Sequence, residues 1–169
     1  MYKQFLFFTI LITCFLSCNN KSGSTAGSTV YEVESLLSVA EQQVDKDIMI
    51  QGMVTHVCKH SGKRCFIAAE NGEESIRIEA GGEITAFDKN LIGSSIKVKG
   101  TLKENRLSKE YIDNMEKDAQ EKLDKEEVTS EQCEAELSNV SEMRNWMKEH
   151  NKDHYAIYYI NGETYEVVD

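Results

Sequence analysis

The chain has 169 residues, with 19 lysines and arginines against 29 aspartates and glutamates, which gives a formal net charge of −10 at pH 7. Such an acidic surface repels phosphate backbones, so nucleic acid is not expected as a partner. The length suits one domain, or one domain with an appendage. The sequence contains no proline.

Residues 1–17 have the pattern of an export signal. Lys3 precedes an almost wholly apolar run, residues 5–16, which is too short to span a bilayer because a spanning helix needs roughly 20 residues. Ser17 stands directly before Cys18, and a small residue followed by cysteine resembles the cleavage motif of bacterial lipoproteins. The resemblance implies that residues 1–17 are a signal peptide and that Cys18 is the lipidated first residue of a protein anchored in the bacterial cell envelope, facing the periplasm. An ordinary signal peptide with a chance cysteine is the alternative.

The segment after the predicted cleavage site is small and polar, NNKSGSTAGST over residues 19–29, so residues 18–29 are expected to form a flexible tether. Cleavage would remove one lysine and no acid, which leaves a net charge of −11. It would also remove Cys14, and lipidation would use Cys18. The cysteines left for the folded part are Cys58, Cys65 and Cys133.

The pattern of apolar residues from residue 30 onward predicts a helix followed by several strands. The spacing of apolar residues predicts an amphipathic helix over residues 30–44. Alternation of apolar and polar residues predicts strands over residues 48–58, 63–69, 75–80 and 94–103, with a short helical connection within 84–91. Gly52, inside the first strand, indicates a bulge or a sharp bend, as expected where a small barrel turns a corner.

This order of elements resembles the OB-fold, a small five-stranded barrel. More narrowly, the run GMVTHVCKHSGKRCFIAAENGEESIRIEA, residues 52–80, resembles that of small OB-fold periplasmic lipoproteins of Bacteroidetes, and the resemblance covers residues 45–105. It implies an α+β protein with an OB-like β-barrel domain over residues 30–107. It implies an architecture more than a function, because OB-folds host many unrelated functions.

Residues 108–169 are predicted to form a helical pair and a C-terminal β-hairpin packed on the barrel. Ser108 can cap a helix to about residue 127, and Thr129 with Gln132 offers a capping box for a second helix to about residue 150. Asn161-Gly162 is a strong turn signal between two alternating runs. The predicted hairpin either completes the barrel or forms a lid on it.

The most suggestive cluster of chemically active residues lies in the first hairpin. If Ser61-Gly62 is its two-residue turn, Cys58 lies opposite Cys65. Because side chains two apart on a strand share a face, His56 and His60 would project from the same side as the two cysteines.

Two chemistries fit that arrangement. Zinc and copper favour thiolate and imidazole ligands, so the hairpin predicts a Zn or Cu site drawn from Cys58, Cys65, His56 and His60. His56 and His60 would stand roughly 13 Å apart along a straight strand, which makes the two cysteines with one histidine the more credible set. The rival is a structural or redox-labile disulfide between Cys58 and Cys65, since opposed residues lie at disulfide distance.

The sequence therefore leaves two functional hypotheses. The first is a membrane-anchored periplasmic binding module with a transition metal on its first hairpin. The second is a non-metal envelope adaptor with a protein partner, for which Trp146 and the tyrosines of the C-terminal segment are the surfaces to inspect. A small-ligand or haem pocket lined by His150, His154, Tyr155, Tyr158 and Tyr159 is a further alternative. The sequence lacks hydrolase and phosphate-loop motifs, and no enzymatic activity is expected.

Overall fold

The computed structural model of the protein describes residues 29–69 and 71–168. Its elements, in chain order, are β1 (Val30–Glu32), α1 (Val33–Ser38), α2 (Ala40–Gln43), β2 (Asp47–Val57), β3 (Arg64–Ala68), β4 (Ser75–Ala80), a 3-10 turn (Lys89–Leu91), β5 (Ser95–Ser108), α3 (Lys109–Asp124), α4 (Ser130–Glu149) and β6 (His154–Val168). The predicted signal peptide, Cys18 and nearly all of the predicted tether lie outside the described residues. Within the described ranges, no helix is both long and apolar enough to cross a bilayer.

Five strands form a closed barrel in the order β2, β3, β4, β6, β5, and pairing between β2 and β5 closes it. All neighbours in the barrel are antiparallel except β4 and β6, which are parallel. The protein is thus a mixed α+β structure built on an OB-fold-like barrel, as predicted.

β2 belongs to two parts of the barrel because it changes partner along its length. Its first half pairs with β5 and its second half with β3, and the exchange occurs beside Gly52. A Cβ atom on Gly52 would lie 2.9 Å from the carbonyl oxygen of Ala68 and 3.1 Å from Val33 Cγ2. Only glycine lets the backbones approach so closely at the point where β2 exchanges partners.

The core fills the barrel with side chains that alternate inward along the strands. Ile50, Ile67, Ile78, Ile96, Val98, Leu102 and Ile160 are completely buried there. Val33 and Leu36 of α1 and Ala40 of α2 join the same cluster, as does Phe87 of the connection between β4 and β5. A continuous apolar interior of this kind supplies the main driving force for folding.

The predicted helix over residues 30–44 is wrong in its extent. Val30–Glu32 pairs parallel with β2 as a short outer strand, and Val39 (φ −121°, ψ 10°) separates α1 from α2. The apolar stripe was correct in part, since Val33, Leu36 and Ala40 are buried. Val30 and Tyr31 have side chains that favour strands, and with Glu32 they pair with the edge of β2. This tertiary pairing overrides the helical periodicity.

The predicted C-terminal hairpin is also wrong. His154–Val168 is one long strand that pairs antiparallel with β5, from Ser95 opposite Val168 to Ser108 opposite His154. Asn161-Gly162 does not reverse the chain. A bulge lies there instead, because Lys99 pairs with Thr164 and Gly100 with Gly162, which leaves Glu163 as an extra residue. β6 completes the barrel, so the barrel includes residues on both sides of the predicted boundary at residue 107.

The predicted helical pair is confirmed, but it is inserted between the barrel strands β5 and β6. Ser108 caps α3 by accepting from Tyr111 N, and Thr129 and Gln132 form the capping box of α4. Arg144 of α4 contacts Asp113 and Glu116 of α3, both at 2.6 Å. Ile112, Val140, Met143 and Met147 form a second apolar cluster, separate from the barrel core.

Candidate functional site

The first hairpin differs from its predicted register by one residue. Val57, not Cys58, lies opposite Cys65, and His56 lies opposite Phe66. A bulge between Val54 and His56 leaves one additional residue in β2. Each later side chain of β2 therefore points to the face opposite to the one predicted from regular alternation. The predicted two-residue turn is instead a longer connection from Cys58 to Lys63, in which Gly62 N donates to Cys58 O at 3.0 Å.

The two hairpin cysteines therefore do not face each other. Cys65 points into the barrel core and is completely buried, and burial raises the pKa of its thiol to about 12. Cys58 begins the connecting loop and is half-buried. The main-chain N–H groups of Ser61 and His60 and the Ser61 hydroxyl, 3.7 Å from Cys58 Sγ, lower the pKa of the Cys58 thiol. Cys58, Cys65 and Cys133 are all free thiols in the structure, and the predicted disulfide is not formed.

The predicted histidine ligands lie apart from Cys65. The His56 ring is exposed and meets the Phe66 ring edge-on at 5.9 Å, while His60 is exposed in the loop. Among the described residues, no three histidine, cysteine or acidic side chains come together as a metal site. A Zn or Cu ion on these four residues stays a prediction, which metal analysis of protein purified without chelator would test. Cys65 could reach such an ion only if the strand register changed.

The same geometry makes a prediction about thiol reactivity. Iodoacetamide added to the native protein is expected to alkylate Cys58 at least an order of magnitude faster than Cys65 or Cys133. Because its pKa is lowered, the Cys58 rate should reach its half-maximum at a lower pH than that of a free cysteine. The measurement is peptide mass spectrometry over a pH series. Ser61→Ala should move that midpoint upward, whereas a protein in which neither Cys58 nor Cys65 reacts until it is reduced would have the predicted disulfide.

A cleft lies elsewhere in the described structure, between the N-terminal helices and the end of α4. It has a volume of about 760 Å³, and its floor is the first part of β6. One wall consists of α1 and α2 residues, Glu34, Leu37, Ser38, Ala40 and Glu41. The other consists of Trp146 on α4 and His150, the residue that caps the end of that helix. Glu74 directly precedes β4 and Ser75 begins it. Lys152, Tyr155, Ala156, Ile157 and Tyr158 complete the lining.

The α4 wall is an ordered group of aromatic rings. The rings of Trp146 and His150 stack with centroids 4.2 Å apart, and Tyr155 meets Trp146 edge-on at 5.2 Å. His150 Nδ1 lies 2.8 Å from the carbonyl oxygen of Trp146, which fixes the imidazole on the last turn of the helix. These rings hold their orientation by contacts within the protein, so a ligand would meet a prearranged surface.

The opposite wall is acidic. Glu34, Glu41 and Glu74 line the cleft and are exposed. Lys152 forms an ion pair with Glu41, and this hydrogen-bonded pair lowers the pKa of the Glu41 carboxyl. Burial, together with the nearby carboxylates of Glu104 and Glu41, raises the pKa of the Tyr158 phenol, so this hydroxyl is a neutral hydrogen-bonding group at physiological pH.

Only some of the histidines and tyrosines predicted to line a small-ligand pocket lie in the cleft. His150, Tyr155 and Tyr158 line the cleft, as does Trp146. Tyr159 lies instead beneath the Arg77 guanidinium, 4.9 Å from its ring centroid. His154 lies 3.4 Å from Glu104 and 2.7 Å from Asp153. The acidic wall could not be found from sequence, because nothing in the spacing places residues 34–41 beside residues 146–158.

Comparison with known proteins leaves the family open. No protein-family profile and no curated protein matches the chain. Among solved structures, a putative aspartyl-tRNA synthetase from Leishmania major Friedlin is similar over 88% of this chain, with a TM-score of 0.40 and 16% sequence identity. The chain spans about a fifth of that protein, 22% of its length.

Proposed function

We propose that this protein is a lipid-anchored binding module of the bacterial cell envelope, without enzymatic activity, which holds a partner in the cleft between α1 and α4. The observation that carries the proposal is the cleft of about 760 Å³ lined by Trp146, His150 and Tyr155. Sites of this volume, with oriented aromatic rings and a few polar groups, are typical of ligand recognition. The proposal corresponds to the second functional hypothesis, an envelope adaptor with a protein partner. Its binding surface is the cleft and not the first hairpin.

The anchor forms the second part of the proposal and depends on the lipoprotein pattern at Ser17 and Cys18. Lipidation would tie the protein to a membrane through Cys18, and residues 19–29 would connect that anchor to the barrel. A single acyl chain gives only reversible membrane binding, so stable anchoring requires the several chains that the lipoprotein resemblance implies.

Photo-crosslinking in cells that express the full chain tests this function. A photoreactive amino acid replacing Tyr155 is expected to give a discrete adduct of higher mass in the membrane fraction, because Tyr155 lies in the cleft wall. The matched control replaces Tyr111, which is 54% exposed on α3 and outside the cleft, and should give no such adduct. Cys18→Ala should leave an uncleaved or a soluble form in place of the lipidated protein. Equal adducts from both positions, or none, would overturn the proposed binding site.

A further inference from the structure

The floor of the cleft is an unpaired strand edge. β6 pairs with β4 only from Tyr159 to Gly162, whereas its first residues, from His154 to Tyr158, pair with β5 alone among the described strands. Beyond those strand pairings, the main chain of residues 155–158 forms no hydrogen bond with any other described main-chain group. In an antiparallel pair, alternate residues direct their N–H and C=O groups away from the partner strand. Two of these four residues therefore present main-chain donors and acceptors to the cleft.

The lining of the cleft supports the same geometry. Four consecutive residues, 155–158, all contribute to it. Successive side chains on a strand point to opposite faces, so a cavity that touches all four lies at the edge of the strand and not on one face. β4 begins at Ser75 on the same side of β6. A strand added along this edge would follow the line of β4, between α1 and α4. Because Ser75 and Ile76 precede the first β4–β6 pair, Arg77 with Tyr159, the added strand would pair chiefly with the residues of β6 nearest His154.

Charge indicates the chemistry of such a strand. Lys152 is the only lysine or arginine in the cleft lining, and it is already paired with Glu41. Glu34 and Glu74 have no ion-pair partner among the described residues, and Glu32 adjoins Glu34 in a neighbouring hollow. The aromatic wall of Trp146, His150 and Tyr155 favours the aliphatic stems and cationic ends of lysine and arginine.

We infer that the cleft binds an extended, lysine- or arginine-containing segment of a protein partner, which adds as a strand to the free edge of β6. Main-chain hydrogen bonds to the edge supply the affinity, and Glu34 and Glu74 select positive charge. The inference deepens the proposed function and rests on it, because it names the kind of partner that the cleft takes.

The test uses fluorescence-labelled short synthetic peptides and the folded full-length chain. A peptide that alternates lysine and valine is expected to bind, and one that alternates glutamate and valine is not. Methylation of alternate main-chain nitrogens on the strand-pairing side of the lysine peptide should weaken binding about tenfold or more, because it removes the donors needed for strand addition. Amide hydrogen exchange should show new protection at residues 155–158 when the unmethylated peptide is bound.

Matched charge reversals separate this site from general attraction to an acidic protein. Glu34→Lys with Glu74→Lys should weaken binding of the lysine peptide about tenfold. Glu110→Lys with Glu131→Lys makes the same change of net charge at exposed positions on α3 and α4 and should leave binding within twofold, allowing about that much for long-range electrostatics. Equal losses in both pairs would overturn the charge selection, and unchanged binding of the methylated peptide would overturn strand addition. Either result would leave a crosslink specific to position 155 unaffected. A failure of this inference is therefore distinguishable from a failure of the proposed function.

Discussion

A chain that ends at Asp153 is expected to lose cooperative folding altogether. β6 joins β4 to β5 in the closed barrel, and its removal exposes the edges of both strands. It also removes Ile160, which is completely buried in the core. Loss of one such side chain typically costs about 2–5 kcal/mol, and domains of this size are stable by only about 5–15 kcal/mol. Circular dichroism should show loss of the β signal, and thermal scans should show no cooperative transition.

The matched control removes a larger part of the chain and should fold. Ser108 and His154 lie opposite each other at the ends of β5 and β6, so a short Asn-Gly turn can replace residues 109–153. The helices have their own apolar cluster, around Ile112 and Val140, and contribute no buried residue to the barrel core. The shortened protein should still unfold cooperatively. If the chain ending at Asp153 melts like the full-length protein, β6 is an appendage and not a barrel strand.

Structure with a local cause was predictable from the sequence. The capping box of Thr129 and Gln132 fixed the start of α4, and the alternation in SIRIEA gave β4 with its bounds at Ser75 and Ala80. Gly52 was also informative, since a glycine inside an alternating strand signals close approach of another backbone, and Ala68 O does approach it closely. In each case, neighbours in sequence carry the information.

Two kinds of structure were not predictable: the face of a strand on which a side chain lies after a bulge, and the pairing of strands that are far apart in the chain. A single bulged residue in β2, after Val54, exchanged the faces of His56 and Val57 and thereby separated Cys58 from Cys65. The pair Asn161-Gly162 is typical of a hairpin turn. Here β6 continues through it as one strand, because it pairs with β5 along the whole length of both strands. No local pattern records either event, because the deciding contacts come from residues far away in the chain.

The candidate site shows the same division. The aromatic residues near the C-terminus were a visible group, and Trp146, His150, Tyr155 and Tyr158 do line the cleft. Its acidic wall comes from Glu34, Glu41 and Glu74, in segments that only the closed barrel brings beside α4. The reading of the first hairpin as a ligand cluster assumed a regular register, and one bulge is enough to place its two thiols in different environments, one in the core and one in a loop.

Replacement of Gly100 by alanine is expected to cost about 3 kcal/mol or more, because it places a methyl group where β6 already lies. A Cβ atom there would lie 2.3 Å from the carbonyl oxygen of Asn161, 2.8 Å from Ile160 Cγ2 and 2.9 Å from Gly162 Cα. Two of those atoms belong to the main chain and cannot rotate away, so β5 and β6 must separate at the bulge. Urea denaturation of the variant and the wild-type protein measures the loss in free energy of unfolding.

Gly72→Ala is the matched control, because it adds the same methyl group in open space. No atom lies within 4 Å of a Cβ atom on Gly72, and its φ of +74° is the only source of strain, worth about 1 kcal/mol. If the C-terminal segment formed a hairpin that covered the barrel as a lid, no strand would press on Gly100, and the two variants would lose similar amounts of stability. A much larger loss in Gly100→Ala therefore reports the bulge itself, independently of any truncation, and equal losses would contradict the register in which Gly100 lies opposite Gly162.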